Sequence, residues 1–487
     1  MAGLHFWKSC KKRLLPGALS LMLVGSIVML FPQTAIIVRA YDDKTITGLG
    51  TGVIAGPTNG NTNGLTGWTG NYVYYGTYNG NPVKYRVLAP STSHFGGKTL
   101  FLDCDNILTK MKHDSITPYE YGANGWANSE VNAWLNGTKA GDFYHDSFTV
   151  QEKKAIAASV KSNKSPSDGI SRDIYDFQPL TGERVFLLDA KEATNSSYGY
   201  KNDIQTSITR KKEGASTWWW LRSPDNSSGE QSASSYPEGV IYSHEVDAKN
   251  GAVSPALNIN LSSVIFSSAI PGEPGSFKLT IADDNLNIFP GIISRDGSTI
   301  TVPYTITGTD SSNATRVSVL ITDRAYSAGT NITNGYTYMK LDVNGFKTTG
   351  TGTFTIPAAY TDKSYYVYIL AEDENAGKAT DYASSPVLIL HNIRNVPSCG
   401  EYDDLYSALD AAIKRGGAQT IIWNKGNKLP YSVMKILQDN PDITLEFNYT
   451  YQDVDYRVTI PGKDVKADVS IPFYGPLYLH AYYGINK

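Results

Sequence analysis

The sequence predicts a multidomain protein with an α+β N-terminal domain, an all-β sandwich and a small α+β C-terminal domain. Three observations lead to this prediction. Short stretches of alternating apolar and polar residues recur along most of the 487 residues. Segments with helical spacing occur in the first and the last part of the chain. A Pro/Gly-rich stretch separates the first part, which mixes helix and strand patterns, from a part with strand patterns alone. A chain of this length ordinarily forms about two to four domains.

Residues 1–40 have the pattern of a secretory signal peptide. Four basic residues between positions 8 and 13 precede an apolar run over 14–37, and Val38-Arg39-Ala40 provides the small residues that signal peptidase requires. Pro and Gly interrupt the run and favour cleavage after Ala40, although it is long enough to serve as an uncleaved anchor. We therefore expect a secreted or cell-surface protein with no membrane segment after cleavage.

The charge balance argues against two classes of partner. Without residues 1–40, which contain five basic and no acidic residues, 38 basic residues stand against 46 acidic ones, a net charge of −8. Nucleic acids and anionic lipids attract basic surfaces, so neither is expected as a partner.

Cysteine is scarce. Cys10 leaves with the signal peptide, and Cys104 and Cys399 fall in different predicted domains. A disulfide framework and a cysteine-based zinc cage are therefore excluded, and two unpaired, partly buried thiols are expected, with an inter-domain disulfide as the alternative.

The domain boundaries follow changes in composition and periodicity. We predict, in order, a signal peptide (1–40), a Gly/Asn/Thr-rich flexible linker (41–70), an α+β domain (71–268), a Pro/Gly linker (269–276), a β-sandwich spacer (277–393) and a small α+β C-terminal module (395–487). A loosely held first strand is the alternative for residues 41–70.

Local signals predict the elements of the α+β domain. Residues 71–78 and 83–88 alternate around a Gly80-Asn81-Pro82 turn, which predicts a hairpin. A helix follows, with Ser129 or Asn128 as its N-cap and Gly137 at its end, and a second begins with a Thr149/Glu152 capping box.

The remaining two regions differ in pattern. Seven turn-bounded strands predict the sandwich: 277–282, 299–307, 316–322, 336–343, 352–356, 365–372 and 386–390. The C-terminal module begins with an amphipathic helix that ends at Gly416-Gly417, then a strand over 419–423, a helix over 431–438 and a hairpin of 444–451 with 456–460.

Several blocks of the first domain resemble a known but uncharacterised domain family. The blocks are Tyr-Gly-Thr-Tyr-Asn-Gly-Asn-Pro-Val-Lys-Tyr-Arg-Val-Leu (75–88), Trp-Leu-Asn-Gly (134–137), Val-Phe-Leu-Leu-Asp-Ala-Lys-Glu-Ala (185–193), Trp-Trp-Leu-Arg-Ser-Pro (219–224) and Val-Ser-Pro-Ala-Leu-Asn (253–258). This family is common in exported proteins of Gram-positive, clostridia-like bacteria, and the spacer and C-terminal module resemble modules of the same proteins.

The strand with Trp and Arg followed by a Gly-x-x-x-Pro strand is similar to the C-type-lectin-like fold and to formylglycine-generating-enzyme domains. The catalytic cysteine pair of those enzymes and the calcium-binding motifs and disulfides of those lectins have no counterpart here. This resemblance implies a lectin-like scaffold without assigning a sugar site. The sandwich resembles fibronectin type III or other immunoglobulin-like spacers.

The Trp218-Trp219-Trp220 run is the candidate ligand-binding site. Neighbouring residues of a strand point to opposite faces, so three consecutive indoles do not all reach one core. Trp218 and Trp220 would stack on a sugar while Arg222 and Asp225 hydrogen-bond its hydroxyl groups. In the alternative, which is the more common arrangement, Trp219 and Leu221 fill the core, and Trp218 and Trp220 pack under loops or against the spacer. Arg222 is then a buried fork bonded to main-chain carbonyls.

The sequence offers no catalytic or metal-binding constellation. The His-Glu-x-x-His and Gly-x-Ser-x-Gly motifs are absent, and Asp103, Asp105 and Asp114 lack the spacing of a calcium loop and are expected to be turn carboxylates. We therefore predict neither enzyme activity nor a cofactor or metal.

The function that follows is binding or adhesion. The N-terminal domain would recognise a glycan, a cell-envelope polymer or another surface protein. Two alternatives stay open: an extracellular polysaccharide or peptidoglycan hydrolase, whose paired carboxylates need not be close in sequence, and a non-catalytic scaffold with buried tryptophans.

Overall fold

The computed structural model describes residues 44–58, 67–115, 125–163, 175, 177–227, 231–291, 293–360, 363–392, 402–451, 454–468 and 471–484. The predicted signal peptide and Cys399 lie outside these residues. All elements below belong to one compact unit, residues 45–487. The protein is largely β with several separate sheets, which confirms the predicted multidomain, strand-rich character.

Up to residue 269 the chain contains fourteen strands and three short α-helices in its described parts. The strands are β1 (Ile46–Leu49), β2 (Tyr72–Tyr78), β3 (Asn81–Thr92), β4 (Thr99–Cys104), β5 (Thr109–Lys110), β6 (Ser159–Lys161), β7 (Leu180–Glu183), β8 (Val185–Phe186), β9 (Trp219–Pro224), β10 (Gln231–Ser235), β11 (Ile241–Glu245), β12 (Ala252–Val253), β13 (Ala256–Asn260) and β14 (Val264–Ala269). The helices are α1 (Glu130–Asn136), α2 (Phe143–Ser147) and α3 (Val150–Ala155).

The predicted local signals act as expected. The Ser129 hydroxyl accepts a hydrogen bond from the Asn132 amide and caps α1, which ends at Gly137. Thr149 and Glu152 form the complete capping box of α3. β2 and β3 pair antiparallel as the predicted hairpin.

Of the two interpretations of residues 41–70, a flexible linker and a first strand, the described part agrees with the strand. Residues 46–49 form β1, which pairs antiparallel with β14. Ile46 and Leu49 are buried against Ile265 and Phe266. Burial of these two apolar side chains holds the segment to the sheet, since each fully buried aliphatic side chain contributes about 1.5–3 kcal/mol.

Residues 276–392 add eleven strands. They are β15 (Ser276–Ala282), β16 (Asn287–Pro290), β17 (Ser294–Asp296), β18 (Thr299–Thr307), β19 (Arg316–Thr322), β20 (Tyr336–Lys340), β21 (Asp342–Val343), β22 (Thr349–Thr355), β23 (Tyr365–Asp373), β24 (Asp381–Ala383) and β25 (Val387–Asn392). A five-stranded sheet, β16-β18-β22-β21 with β17, packs its apolar side chains against those of β19, β23 and β25.

A thirteen-stranded sheet runs through both of these regions, in the order β20-β19-β23-β24-β15-β2-β3-β4-β13-β8, with β1, β14 and β25 attached. β15 is its junction. Residues 276–278 pair parallel with β2, residues 280–282 pair parallel with β24, and its other edge pairs with β14. The predicted linker 269–276 is therefore a short connection between two adjacent antiparallel strands.

The C-terminal module has its own sheet and core. Its elements are α4 (Asp403–Arg415), β26 (Gln419–Trp423), β27 (Leu429–Pro430), α5 (Tyr431–Asp439), β28 (Ile443–Tyr451), β29 (Val454–Pro461), β30 (Phe473–Tyr474) and α6 (Pro476–Tyr483). Leu405 and Leu409 of α4 are fully buried with Leu445 and Phe447 of β28. The predicted helices and hairpin are present within a few residues of their expected bounds.

Within the described parts of the chain, no helix has both the length and the apolar character needed to cross a bilayer.

Candidate functional site

The three consecutive tryptophans lie inside the protein. Trp218 is 6% exposed, Trp219 3% and Trp220 0%. Trp218 stacks on His244 with ring centres 3.8 Å apart and meets Trp220 edge to face at 4.5 Å. The indole Nε1 of Trp220 donates to the Met111 carbonyl at 2.9 Å. The indole faces are covered by protein, so they do not provide the expected stacking platform. The indoles are therefore covered, as the alternative expects, but Trp218 and Trp220 join Leu221 in the core cluster of this region in place of Trp219.

Arg222 is the centre of a buried ionic network. Its guanidinium donates to both carboxylate oxygens of Glu192, at 2.6 and 2.9 Å, and to Asp189 at 3.1 Å. It also donates to the carbonyls of Leu187 and Gln178. Lys161 completes the network with an ion pair to Glu192 at 2.9 Å. Two cations face two carboxylates, and all four side chains are almost completely buried.

The electrostatics of this network are those of a structural cluster. Burial and the neighbouring Glu192 raise the pKa of Asp189. Burial alone would also raise the pKa of Glu192, but Arg222 and Lys161 lower it below its ordinary value. Buried charges persist only when they are paired and hydrogen-bonded, and this condition is met here. The predicted role of Arg222 in contacting ligand is therefore replaced by a role in fixing the chain around β9.

Asp225, the fourth predicted ligand-binding residue, is also internal. It is 3% exposed. Its carboxylate accepts hydrogen bonds from the Ser227 amide at 2.9 Å, the Ser227 hydroxyl at 2.6 Å and the Ser243 hydroxyl at 2.7 Å. These bonds fix the turn after β9 to β11. The four predicted site residues thus lie near one another, but none presents its polar or aromatic group to solvent.

Two of the three carboxylates considered for calcium, Asp103 and Asp105, belong to a second buried network, and the third, Asp114, is also buried. Asp105 pairs with Arg86 at 2.6 Å, and Asp103 accepts from Lys212 and from the Tyr200 hydroxyl. Their charges are neutralised by protein cations. This explains why Asp103 and Asp105 follow no calcium-loop pattern, although they are not the solvated turn residues that the sequence indicates.

A different part of the surface has the shape and chemistry of a binding site. A cleft of about 820 Å³ opens beside β2, which we call the tyrosine cleft. Its lining contains three tyrosines, three asparagines and four charged side chains: Tyr72, Tyr74, Tyr78, Asn79, Asn81, Asn106, Lys84, Glu213, Glu273 and Lys378, with Pro82, Val83, Ile107, Leu108, Pro274 and Ser276 completing the wall. Small-molecule sites are clefts of this size that combine aromatic faces with a few polar groups.

The backbone of β2 explains how three tyrosines reach one cleft. Tyr72 and Tyr74 are two residues apart, so they share a face of the strand, whereas Tyr75 points into the core. The pairing with β3 is irregular between Tyr74 and Thr77, where Gly76 has a φ of +64°. This irregularity redirects the strand end, and Tyr78 then lines the same cleft.

Protein contacts hold the tyrosines in place. The Tyr78 ring packs against Trp134 and Phe143 at 6.3 and 5.8 Å between centres. The ammonium of Lys84 lies 4.1 Å from the centre of the Tyr72 ring. Tyr72 and Tyr78 are partly exposed, whereas Tyr74 is only 6% exposed. The cleft is therefore largely formed without a ligand.

Glu273, Lys378 and the Tyr74 hydroxyl form a polar group in the cleft. The Tyr74 hydroxyl donates to Glu273 at 2.8 Å and accepts from Lys378 at 2.9 Å, and Lys378 pairs with Glu273. The hydrogen bond from Lys378 lowers the pKa of Glu273, and the bond to Glu273 raises the pKa of Lys378. Both groups are therefore charged at neutral pH and offer a fixed donor and acceptor to a ligand.

The tyrosine cleft is not indicated by the local sequence pattern, which only assigns residues 71–78 to a strand of the predicted hairpin. The alternation of Tyr72 and Tyr74 was an available signal for a tyrosine-bearing face. No local pattern marks the charged residues of the cleft, because only long-range folding brings Glu213, Glu273 and Lys378 to it.

Comparisons with known proteins cover parts of the chain. Residues 97–261 match the family described as a domain of unknown function, DUF6273. No curated protein matches the chain. Among solved structures, a “putative carbohydrate binding protein” from Bacteroides uniformis ATCC 8492 is similar at 13% identity with a TM-score of 0.15, over 32% of this chain and 81% of that one.

Proposed function

We propose that the protein is an exported glycan-binding protein and that the tyrosine cleft, not the tryptophan strand, is its binding site. The observation that carries the proposal is the placement of two partly exposed rings, Tyr72 and Tyr78, and of the Tyr74 hydroxyl along a cleft that also contains amide and charged groups. A glycan presents apolar C–H faces and many hydroxyl groups. Aromatic rings complement the first, and polar side chains the second.

The polar groups of the cleft suit hydroxyl recognition. A sugar hydroxyl both donates and accepts, and the amides of Asn79, Asn81 and Asn106 also do both. Lys378 adds a donor and Glu273 adds an acceptor at a fixed separation. Such a mixture suits an oligosaccharide better than an apolar ligand, because a purely apolar ligand would leave these groups without partners.

The proposal also includes export of the protein, a lectin-like first domain and an immunoglobulin-like spacer. The pattern of residues 1–40 supports secretion or attachment at the cell surface. The sequence blocks at 75–88 and 219–224 support the resemblance of the first domain to the exported domain family, and the strand with Trp and Arg before a Gly-x-x-x-Pro strand supports its lectin-like assignment. The run of turn-bounded strands supports an immunoglobulin-like or fibronectin type III-like spacer.

Hydrolysis of a glycan is a second candidate function, because two glutamates, Glu213 and Glu273, line the same cleft. A glycosidase needs one carboxylic acid that stays protonated until it protonates the leaving group. Lys378 lowers the pKa of Glu273, which is the opposite of that requirement. Glu273 is therefore unsuited to the acid role, which among the described lining residues leaves only Glu213, and we favour binding without cleavage.

The test is a binding measurement on residues 41–487, which contain the whole compact unit. The wild type and a Tyr72→Ala variant are applied to a glycan array and to purified cell-wall polymers. Tyr242→Ala is the matched control, since Tyr242 is 55% exposed and does not line the cleft. Loss of one stacking ring should weaken binding about tenfold or more.

Selective binding that Tyr72→Ala weakens and Tyr242→Ala preserves, with unchanged circular dichroism, would support the proposal. Release of reducing sugar by the wild type that Glu213→Gln abolishes would favour the hydrolase instead. Absence of binding to every glycan and polymer would reject both functions and leave the scaffold role.

A further inference from the structure

The loop between β23 and β24 brings a residue of the spacer region into the tyrosine cleft. We propose that Lys378 of this loop is a specificity-determining residue, and that through it the cleft selects uncharged oligosaccharides over acidic and basic ones. This inference rests on the proposed function of the cleft. It changes the part assigned to residues 277–393, which the sequence describes only as a spacer, because that region then supplies one wall of the site.

Lys378 has a defined position. Its ammonium lies 4.5 Å from the centre of the Tyr74 ring and 2.9 Å from the Tyr74 hydroxyl, and it pairs with Glu273. Three contacts of different kinds, one to a ring, one to a hydroxyl and one to a carboxylate, restrict a side chain that would otherwise have many rotamers. A ligand in the cleft therefore meets the ammonium at a fixed place.

The loop that carries Lys378 is itself anchored. Lys278 of β15 donates to the Asn375 carbonyl at 2.9 Å and to Asp381 at 2.8 Å, which joins the two ends of the loop. The Thr380 hydroxyl donates to Glu152, the capping residue of α3, at 2.5 Å. These contacts connect the loop to β15 and α3, so the position of Lys378 does not depend on the lysine side chain alone.

The charges that line the cleft cancel. Among the described lining residues, Lys84 and Lys378 are the cations and Glu213 and Glu273 the carboxylates. An ionic ligand would lose part of its hydration on entering without gaining a net opposite charge in return, whereas an uncharged glycan loses much less. Replacement of Lys378 by glutamate changes the balance by two charges, from zero to −2. Such a cleft should favour a cationic ligand.

The experiment measures binding of residues 41–487 to three oligosaccharide classes: uncharged, uronic-acid-containing and glucosamine-containing, the last being cationic. The proteins are the wild type, Lys378→Gln, Lys378→Glu and the control Lys340→Glu. Lys340 is an exposed residue of β20 in the same region and outside the cleft. Each titration is done at low and at high ionic strength, because screening by salt identifies an electrostatic effect.

The wild type should bind uncharged oligosaccharides best. Lys378→Glu should shift the ratio of cationic to uncharged binding by about tenfold or more, and high salt should reduce this shift. Lys378→Gln should shift it less, and Lys340→Glu should leave it unchanged. If the wild type binds but Lys378→Glu shows the same ratio of cationic to uncharged binding, the role of Lys378 is overturned while the proposed function of the cleft stands. Absence of wild-type binding to all three classes would overturn the proposed function and this inference with it.

Discussion

His113 packs edge-on against Trp220, with ring centres 5.4 Å apart, and neither of its ring nitrogens has a hydrogen-bond partner among the described residues. The imidazole is completely buried. Burial lowers its pKa from 6.5 to about 3. A neutral, unpaired histidine at this place acts as an apolar ring, and its protonation is incompatible with the packing around the tryptophans.

The first prediction concerns the pH dependence of stability. Because the folded-state pKa of His113 lies below the unfolded value, the unfolded chain binds the proton first as the pH falls below 6.5. Stability should therefore be full above pH 6.5 and fall progressively towards pH 3, by about 2 kcal/mol between pH 7 and pH 5. In His113→Leu, the part of the stability loss that protonation of His113 causes should be absent. Urea unfolding at pH 7 and pH 5 measures the difference from the wild type.

Ile422→Ala is the control for this prediction, because Ile422 is 61% exposed and carries no titratable group. It should leave the pH dependence of unfolding unchanged. An equal loss of stability in wild type and His113→Leu between pH 7 and pH 5 would contradict the assigned role of His113.

The second prediction separates a structural from a ligand-binding role of Arg222. Arg222→Leu leaves Glu192 and Asp189 buried without their main partner, so the variant should lose about 3–5 kcal/mol of unfolding free energy. Lys414→Met breaks an exposed pair with Asp410 on α4 and should change stability by only about 0.5 kcal/mol or less. Both are measured by urea unfolding. Unchanged stability together with lost glycan binding in Arg222→Leu would return Arg222 to the list of ligand-binding residues.

The third prediction concerns the close approach of Gly251 to the indoles. A Cβ atom at residue 251 would lie 2.3 Å from Nε1 of Trp220 and 2.6 Å from the Trp218 ring. Gly251→Ala should therefore displace both rings and destabilise the protein by about 1–3 kcal/mol. In Gly97→Ala, the added methyl group meets no atom within 4 Å, and the melting temperature should change little. The same melting temperature in the two variants would show that the indoles can move without cost.

The elements that depend on local sequence signals were predicted correctly. The Ser129 cap, the Thr149/Glu152 capping box and the hairpin of β2 and β3 depend on residues close together in the chain, and each is present. The pattern could not show that β15 joins the two regions, because its partners β2 and β24 are distant in sequence. Backbone pairing of this kind depends on the whole fold.

For the candidate site too, local features were predicted and long-range contacts were not. Alternation correctly indicates that adjacent indoles point to opposite faces, but it does not show what covers each face. His244 and Gly251 cover the tryptophans, and only the folded chain brings them there. Likewise, Glu273 and Lys378 approach Tyr74 from two segments that no local pattern connects to it. Burial and convergence of distant residues are tertiary properties, so the sequence left both interpretations of the tryptophans open.

The junction strand β15 has a mechanical consequence. A pulling force on the C-terminal module would act on β15 through the strands of residues 276–392. Rows of backbone hydrogen bonds join β15 to β2, β14 and β24, so these strands would carry the force with it. Several such bonds share the load, in contrast to a single extended tether, which would stretch first. Under drag or adhesion force, the wall carrying Tyr74 and the loop carrying Lys378 should be displaced together, and the geometry of the cleft should be retained while the protein bears load.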